Sequence, residues 1–133
     1  DSQDVNIYRN LAGGVVAALA AQGLVIPVGG QDGDLAAINR VARGSQTVSV
    51  WKDARQLGKA AGEIASALAA GAALDSIEGA SKFSGGEKGI EMNAILLAPT
   101  PLTKDNLNVA IDAGHISKEQ ACEGAMAGVV GCE

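Results

Sequence analysis

Two carboxylates follow a glycine turn in the segment VIPVGGQDGD, residues 25–34. A run of apolar residues leads into Gly29 and Gly30, and Asp32 and Asp34 follow after Gln31. A glycine turn that opens a helix can bind phosphate through its backbone N–H groups, but two aspartates would repel that anion. Neither of the glycine motifs for phosphate, GxGxxG or GxxxxGKS/T, is present. A neutral polyhydroxyl ligand such as a sugar suits these residues better, because a carboxylate accepts strong, charge-assisted hydrogen bonds from hydroxyl groups.

The two aspartates have different expected roles. Asp34 directly precedes an amphipathic stretch and is interpreted as the N-cap of a helix. Asp32 lies nearer to the end of the apolar strand and is the candidate ligand for hydroxyl groups. A calcium loop over these residues is disfavoured, because the later oxygen ligands of such a loop are absent.

A second candidate position is the end of a predicted strand at 47–51, where Trp51 is followed by Lys52. The lysine ammonium could donate hydrogen bonds to sugar hydroxyls, and the indole offers a large flat apolar surface for a pyranose ring. Two alternatives stay open. Trp51 could pack in the core or at a hinge, and Lys52 could be a solvated charge beside Asp53, which is a candidate helix cap.

No catalytic constellation is recognisable in the sequence. His115 is the only histidine, and without a nucleophile or second histidine it is interpreted as structural. Cys122 and Cys132 could form a disulfide, remain as two buried thiols or provide half of a metal site, for which further ligands are lacking. The disulfide is favoured and would imply an oxidising compartment. The sequence therefore predicts binding without catalysis, and no cofactor or metal.

Composition and charge exclude several classes of partner. The chain of 133 residues is 47% hydrophobic and 19% charged, which is typical of a globular protein. Its net charge is −5, and lysine and arginine form no cluster, so nucleic acid and anionic membrane surfaces are not expected partners. No apolar run approaches the roughly 20 residues that span a bilayer.

Strands and helices alternate along the sequence. Strands are predicted over 4–8, 25–28 and 47–51 and at the end of 84–99, and helices over 11–22, 34–44, 53–71 and 118–130. Strand followed by helix, three times in succession, predicts a Rossmann-like parallel sheet flanked by helices, in the α/β class. Ligands of such sheets bind outside the carboxyl ends of the strands, which is where Asp32 and Lys52 are expected.

These same segments carry a family resemblance. The strings GQDGDLAAI (30–38), GSQTVSVWK (44–52) and ILLAPTPLTKDNLNVAIDAGHISKEQAC (95–122) resemble the C-terminal half of the type I periplasmic sugar-binding proteins of ABC importers. The likeness is greatest to the D-xylose-binding branch and extends over roughly residues 11–122. It departs at Tyr8, where the family has an asparagine ligand.

The resemblance implies a function and a set of ligand residues. Asp32 matches the family's ligand aspartate and Lys52 its ligand lysine, while Trp51 stands where an aromatic residue, commonly tyrosine, precedes that lysine. A monosaccharide, D-xylose or a related aldose, is then held between two lobes and delivered to the membrane subunits of an ABC transporter. The implied location is periplasmic or extracellular. The same fold also serves as the sugar-sensing domain of repressors and sensor kinases, which is the alternative function.

The resemblance also implies an incomplete two-lobe architecture. Residues 1–51 would belong to the C-terminal lobe, 52–98 would complete the N-terminal lobe, and 99–133 would return to the C-terminal lobe as hinge and tail. Family members are expected to be about twice as long. Apolar helix faces and strand edges would then be left open, so we expect this chain to be a fragment that associates with the absent N-terminal portion or with a second copy.

Overall fold

The structure is a computed structural model that describes the backbone of residues 4–133 and the side chains of residues 11–133. In chain order its elements are α1 (Asp4–Ala21), β1 (Gly29–Gln31), α2 (Leu35–Ala42), β2 (Val48–Trp51), α3 (Ala54–Ala69), a 3-10 turn (Leu74–Ser76), β3 (Ser81–Phe83), β4 (Met92–Ala94), β5 (Thr100–Leu102), α4 (Asn108–Asp112) and α5 (Lys118–Cys122). They form two compact units, one of Asp1–Lys52 with Pro99–Glu133 and one of Asp53–Ala98. The chain therefore passes from one unit to the other after residues 52 and 98, whereas the sequence predicted divisions after 51 and 98.

The first unit is built on a three-stranded sheet in the order β1-β2-β5. β1 and β2 are parallel, with Gly29 opposite Val48, and α2 connects them. β5 is antiparallel to β2. The predicted α/β class is confirmed, but the sheet is mixed and not purely parallel. The sequence did not indicate β5 because it contains Pro101, which a strand tolerates at a sheet edge such as this one.

Helix α2 carries the core of this unit. It begins after Asp34, as predicted, and its apolar face of Ile38, Val41 and Ala42 is fully buried. The buried side chains of Ile38 and Val41 contribute roughly 1.5–3 kcal/mol each. The amide of Asn39 donates hydrogen bonds to the carbonyl oxygens of Ala121, at 3.2 Å, and Glu123, at 2.8 Å. These bonds connect the end of α5 to α2.

Helix α1 is longer than the sequence indicated. It begins at Asp4, so the strand predicted over 4–8 is wrong. Val5 and Ile7 alternate over too few residues to distinguish a strand from the first turns of a helix. The departure from the family at Tyr8 lies outside the described side chains. Among the described residues no helix has the length and apolar character needed to cross a bilayer.

The strand predicted over 25–28 is displaced toward the C-terminus. β1 begins at Gly29 because its partner β2 begins at Val48. Val28 is already joined to Thr47, whose N–H donates to the Val28 carbonyl at 2.9 Å, and Pro27 has no N–H to add to the ladder.

Helix α5 begins at Lys118, where the sequence predicted its start, but ends early. The N–H of Gln120 donates to Ser117 Oγ at 3.2 Å. The helix ends at Cys122, whereas the sequence predicted that it continues to about residue 130. Gly124 and Gly128 have φ of +67° and +77°, which a right-handed helix does not accommodate.

The second unit contains α3, the 3-10 turn and the antiparallel pair β3 and β4. Asp53 caps α3 by accepting a hydrogen bond from the N–H of Arg55 at 3.0 Å. The predicted strand in 84–99 corresponds to β4, and β3 was not predicted. None of the residues of α3 is fully buried. Among its apolar residues, Ala60 and Ile64 are half-buried, whereas Leu57, Ala61 and Leu68 are exposed.

Cys122 and Cys132 form a disulfide with a Cα–Cα distance of 5.4 Å. The structure thus contains the bond that the sequence favoured among three alternatives. The bond closes a segment in which Val129 is fully buried in the core.

We expect the double substitution Cys122→Ser, Cys132→Ser to lower the free energy of unfolding by about 2–3 kcal/mol, because closing a loop of this length restricts the unfolded chain. Urea denaturation followed by the fluorescence of Trp51, the only tryptophan, measures this change. A reductant should destabilise the wild type and leave the double variant unchanged. Equal stability of the two proteins without reductant would contradict the prediction.

Candidate functional site

Asp32 stands at the carboxyl end of β1, directly after Gln31. Its N–H donates a hydrogen bond to the Val50 carbonyl of β2 at 2.7 Å. Asp32 and Gly33 have φ of +73° and +59°, in the left-handed region that residues other than glycine rarely adopt. The N–H of Gly33 donates to Ser49 Oγ at 3.1 Å. The chain therefore turns sharply where β1 ends, and this turn carries the Asp32 carboxylate.

Lys52 brings a cation to the same edge of the sheet. Its Nζ lies 3.0 Å from Asp32 Oδ1, and it donates to Gln31 Oε1 at 3.2 Å. The side chains of Lys52 and Asp32 are 48% and 46% exposed. We call Gln31, Asp32 and Lys52 the strand-end cluster. It presents a carboxylate that accepts hydrogen bonds, an ammonium that donates them and an amide that does both.

Asp34 has a structural task beside this cluster. Its Oδ1 accepts a hydrogen bond from the N–H of Ala37 at 2.8 Å, at the first turn of α2. The interpretation of Asp34 as a helix cap is confirmed. The two aspartates, two residues apart, therefore point to different partners.

Trp51 lies in the core, with 4% of its surface exposed. Its ring faces that of His115 with centroids 5.0 Å apart, and a Cβ added to Gly33 would come within 2.8 Å of the indole. The prediction that the indole lies against a sugar ring therefore needs correction, because almost none of its surface is accessible. The structure gives Trp51 the packing role that the sequence had left as its alternative.

His115, in the C-terminal segment of the first unit, contacts the turn. Its Nε2 lies 2.7 Å from the carbonyl oxygen of Gly33, 82 residues away in the sequence. The ring is half-buried. This contact agrees with the interpretation of His115 as a structural residue and identifies what it supports.

Two curated relatives share the sequence of this chain. Over 111 residues the chain is 40% identical to the D-xylose-binding periplasmic protein of Haemophilus influenzae, a match that covers 81% of this chain and 32% of that protein. It is 36% identical over 110 residues to the D-xylose-binding periplasmic protein of Escherichia coli, with the same coverage of both. The chain is homologous to the C-terminal part of the periplasmic sugar-binding proteins. No family model matches the chain.

A solved structure supports the fold of these periplasmic sugar-binding proteins. It is a carbohydrate transporter solute-binding protein from Chloroflexus aurantiacus in complex with D-glucose, with a TM-score of 0.71 and 27% sequence identity. The match covers 84% of this chain and 32% of that chain. The resemblance and fold expected from the sequence are confirmed. Both curated relatives are named as periplasmic proteins, which also confirms the expected location.

The relatives are longer than the sequence led us to expect. The chain spans about a third of the length of the curated relatives it matches, and not about half. Most of each relative therefore has no counterpart in this chain.

Within this homologous segment, the structure brings Asp32 and Lys52 into direct contact and sets Trp51 behind them. The sequence did not indicate Gln31 as a member of the cluster. Gln31 is the last residue of β1, directly before Asp32, and this position could have indicated it. Among the described residues, no group of three or more histidine, cysteine, aspartate or glutamate side chains could hold a metal ion.

Proposed function

We propose that this chain is part of the solute-binding component of an ABC sugar importer and reversibly binds a monosaccharide, D-xylose or a related aldose. The observation that carries the proposal is the strand-end cluster, in which the half-exposed Asp32 and Lys52 meet at 3.0 Å. The cluster stands in a chain that is 40% identical to a D-xylose-binding protein. The solved neighbour was crystallised with D-glucose, a second aldose.

The chemistry of the cluster fits hydroxyl groups. The two oxygens of Asp32 can accept hydrogen bonds from adjacent hydroxyls of one sugar, and the ammonium of Lys52 can donate to a third. An ion pair this exposed contributes about 0–1 kcal/mol, so a sugar can rearrange it at little cost. Gln31 can donate or accept at the border of the same cluster. Trp51 supports this arrangement from the core and does not touch the ligand.

The importer role further implies a conformational change. In binding proteins with two lobes, a ligand that contacts both lobes favours the closed state by hinge motion. The membrane subunits of the transporter would then receive the sugar from the closed form. We propose these steps for a protein that has this chain as its C-terminal part.

Calorimetric titration tests the proposal. D-xylose, D-glucose and the acyclic polyol xylitol are titrated into the longest form of the protein that the gene encodes. We expect saturable binding of D-xylose at one site per chain and weaker binding of xylitol, whose open chain is less preorganised. The absence of measurable heat with every aldose would overturn the proposed function.

We also propose that the chain associates through an exposed apolar surface, defined here by Leu11, Val15, Leu24, Val25 and Ile26. Four of these residues are about half exposed, and Val25 is 98% exposed. An apolar surface of this kind favours association. The proposed partner is the N-terminal portion that corresponds to the part of the relatives outside the match. Where that portion is absent, a second copy of this chain takes its place.

Size-exclusion chromatography with light scattering tests this association. We expect the chain alone to elute as dimers or larger species, and Val25→Glu to shift the population toward monomer because it places a charge on the apolar surface. Glu63→Gln, a change of an exposed side chain in the second unit, is the control. A stable monomer of 13.2 kDa would contradict the proposal.

A further inference from the structure

The turn that carries Asp32 is held in an unusual backbone conformation. Asp32 is the only residue other than glycine with a positive φ in the part of the chain that the structure describes, and Gly33 follows with a positive φ of its own. Residues persist in such conformations only where their surroundings determine them. The contacts around this turn therefore decide where the Asp32 carboxylate points.

Three hydrogen bonds determine the turn. Two come from the adjacent strand β2, through the Val50 carbonyl and the Ser49 hydroxyl. The third comes from His115, which follows α4, and reaches the Gly33 carbonyl at 2.7 Å. Because a carbonyl oxygen can only accept, Nε2 must carry the proton in this hydrogen bond.

The ring of His115 is itself fixed by packing. It lies against Trp51, and Trp51 fills the space beside Gly33 so tightly that a Cβ there would contact the indole at 2.8 Å. Trp51 directly precedes Lys52. Asp32 directly precedes Gly33, and His115 contacts both Gly33 and Trp51. Each charged residue of the strand-end cluster is therefore the chain neighbour of a residue that His115 contacts.

We propose that His115 is a positioning residue of the sugar site. Through its hydrogen bond to the Gly33 carbonyl, it holds the turn so that the Asp32 carboxylate stays beside Lys52, ready to accept hydroxyl hydrogen bonds. This inference rests on the proposed function. The imidazole both donates a hydrogen bond and packs against Trp51, and it is the hydrogen bond that positions the turn.

Two substitutions separate these contributions. His115→Phe keeps a ring against Trp51 and removes the donor, whereas His115→Gln removes the ring and keeps an amide donor near the position of Nε2. D-xylose is titrated calorimetrically into the wild type and both variants, in the longest form that the gene encodes. We expect the Phe variant to bind about tenfold more weakly, because the Gly33 carbonyl is left unpaired, and the Gln variant to stay within about threefold of the wild type. The thermal midpoint of each variant is measured alongside.

Hydrogen exchange without sugar gives a second, independent reading. The Gly33 amide should exchange about tenfold faster in the Phe variant and at nearly the wild-type rate in the Gln variant, since the turn loosens only when the donor is lost. The reverse order, with Gln weaker and faster to exchange than Phe, would overturn the assignment in favour of packing. Unchanged exchange in both variants would also overturn it. If the wild type binds no aldose, the proposed function fails, and the exchange rates alone decide whether His115 holds the turn.

Discussion

Asp32→Asn is expected to weaken binding of D-xylose about 100-fold, or about 2.7 kcal/mol. The substitution replaces a carboxylate by an amide of the same shape, so two charge-assisted hydrogen bonds to sugar hydroxyls are replaced by weaker neutral ones. It also leaves Lys52 without the anion that lies 3.0 Å from its Nζ. Asparagine tolerates a positive φ about as well as aspartate, and the turn itself should therefore stay intact. Calorimetric titration measures the affinity, and thermal denaturation checks that the fold is kept.

The same substitution two residues further on is the matched control. Asp34 accepts a hydrogen bond from Ala37 N–H as the cap of α2, and asparagine caps helices about as well as aspartate. Asp34→Asn should therefore leave both stability and D-xylose affinity close to the wild-type values. Equal losses of affinity in the two variants would mean that the net charge of the loop matters and the position of Asp32 does not.

Gly33→Ala is expected to be the most destabilising single substitution near the site, at about 3 kcal/mol. An L-residue in the left-handed conformation of Gly33, φ +59°, costs about 1–2 kcal/mol. The added methyl group would lie 2.8–3.0 Å from three atoms of Trp51, and overpacking of this kind costs about 1–3 kcal/mol. Urea denaturation monitored by Trp51 fluorescence measures the change, because Trp51 is the only tryptophan.

Gly14→Ala is the comparison for this second substitution. Gly14 lies inside α1, and a Cβ there meets nothing within 4 Å. Alanine in a helix interior should therefore raise the stability by about 0.5–1 kcal/mol. If Gly33→Ala changed the free energy of unfolding by no more than Gly14→Ala does, the proposed tight packing of Trp51 against Gly33 would be contradicted.

The features that the sequence predicted correctly depend on short stretches of chain. Asp34 and Asp53 were recognised as helix caps, because a cap needs only the side-chain oxygen and the next few N–H groups. The helix predicted over 34–44 corresponds to α2, and its end is local too, since Gly44 has a φ of +76° just beyond the last turn. Asp32 and Lys52 were recognised as neighbours because the carboxyl ends of parallel strands meet at one edge.

The features that the sequence did not predict depend on contacts between residues that lie far apart in the chain. β5 is a strand only because β2 lies beside it, and its own Pro101 argues against one. The role of His115 depends on a residue 82 positions away. Trp51 has a residue type that suits both sugar stacking and core packing, and only its burial separates the two.

Binding of an aldose by Asp32 and Lys52 can be followed residue by residue when the isotope-labelled protein is titrated with D-xylose and the NMR signals of its backbone amides are recorded. We expect the amides of Gln31, Asp32, Gly33 and Lys52 to shift in a saturable manner, while that of Gly128, in the segment closed by the disulfide, stays unchanged. Saturable shifts that leave these four amides unchanged, or no shifts with any aldose, would contradict this expectation.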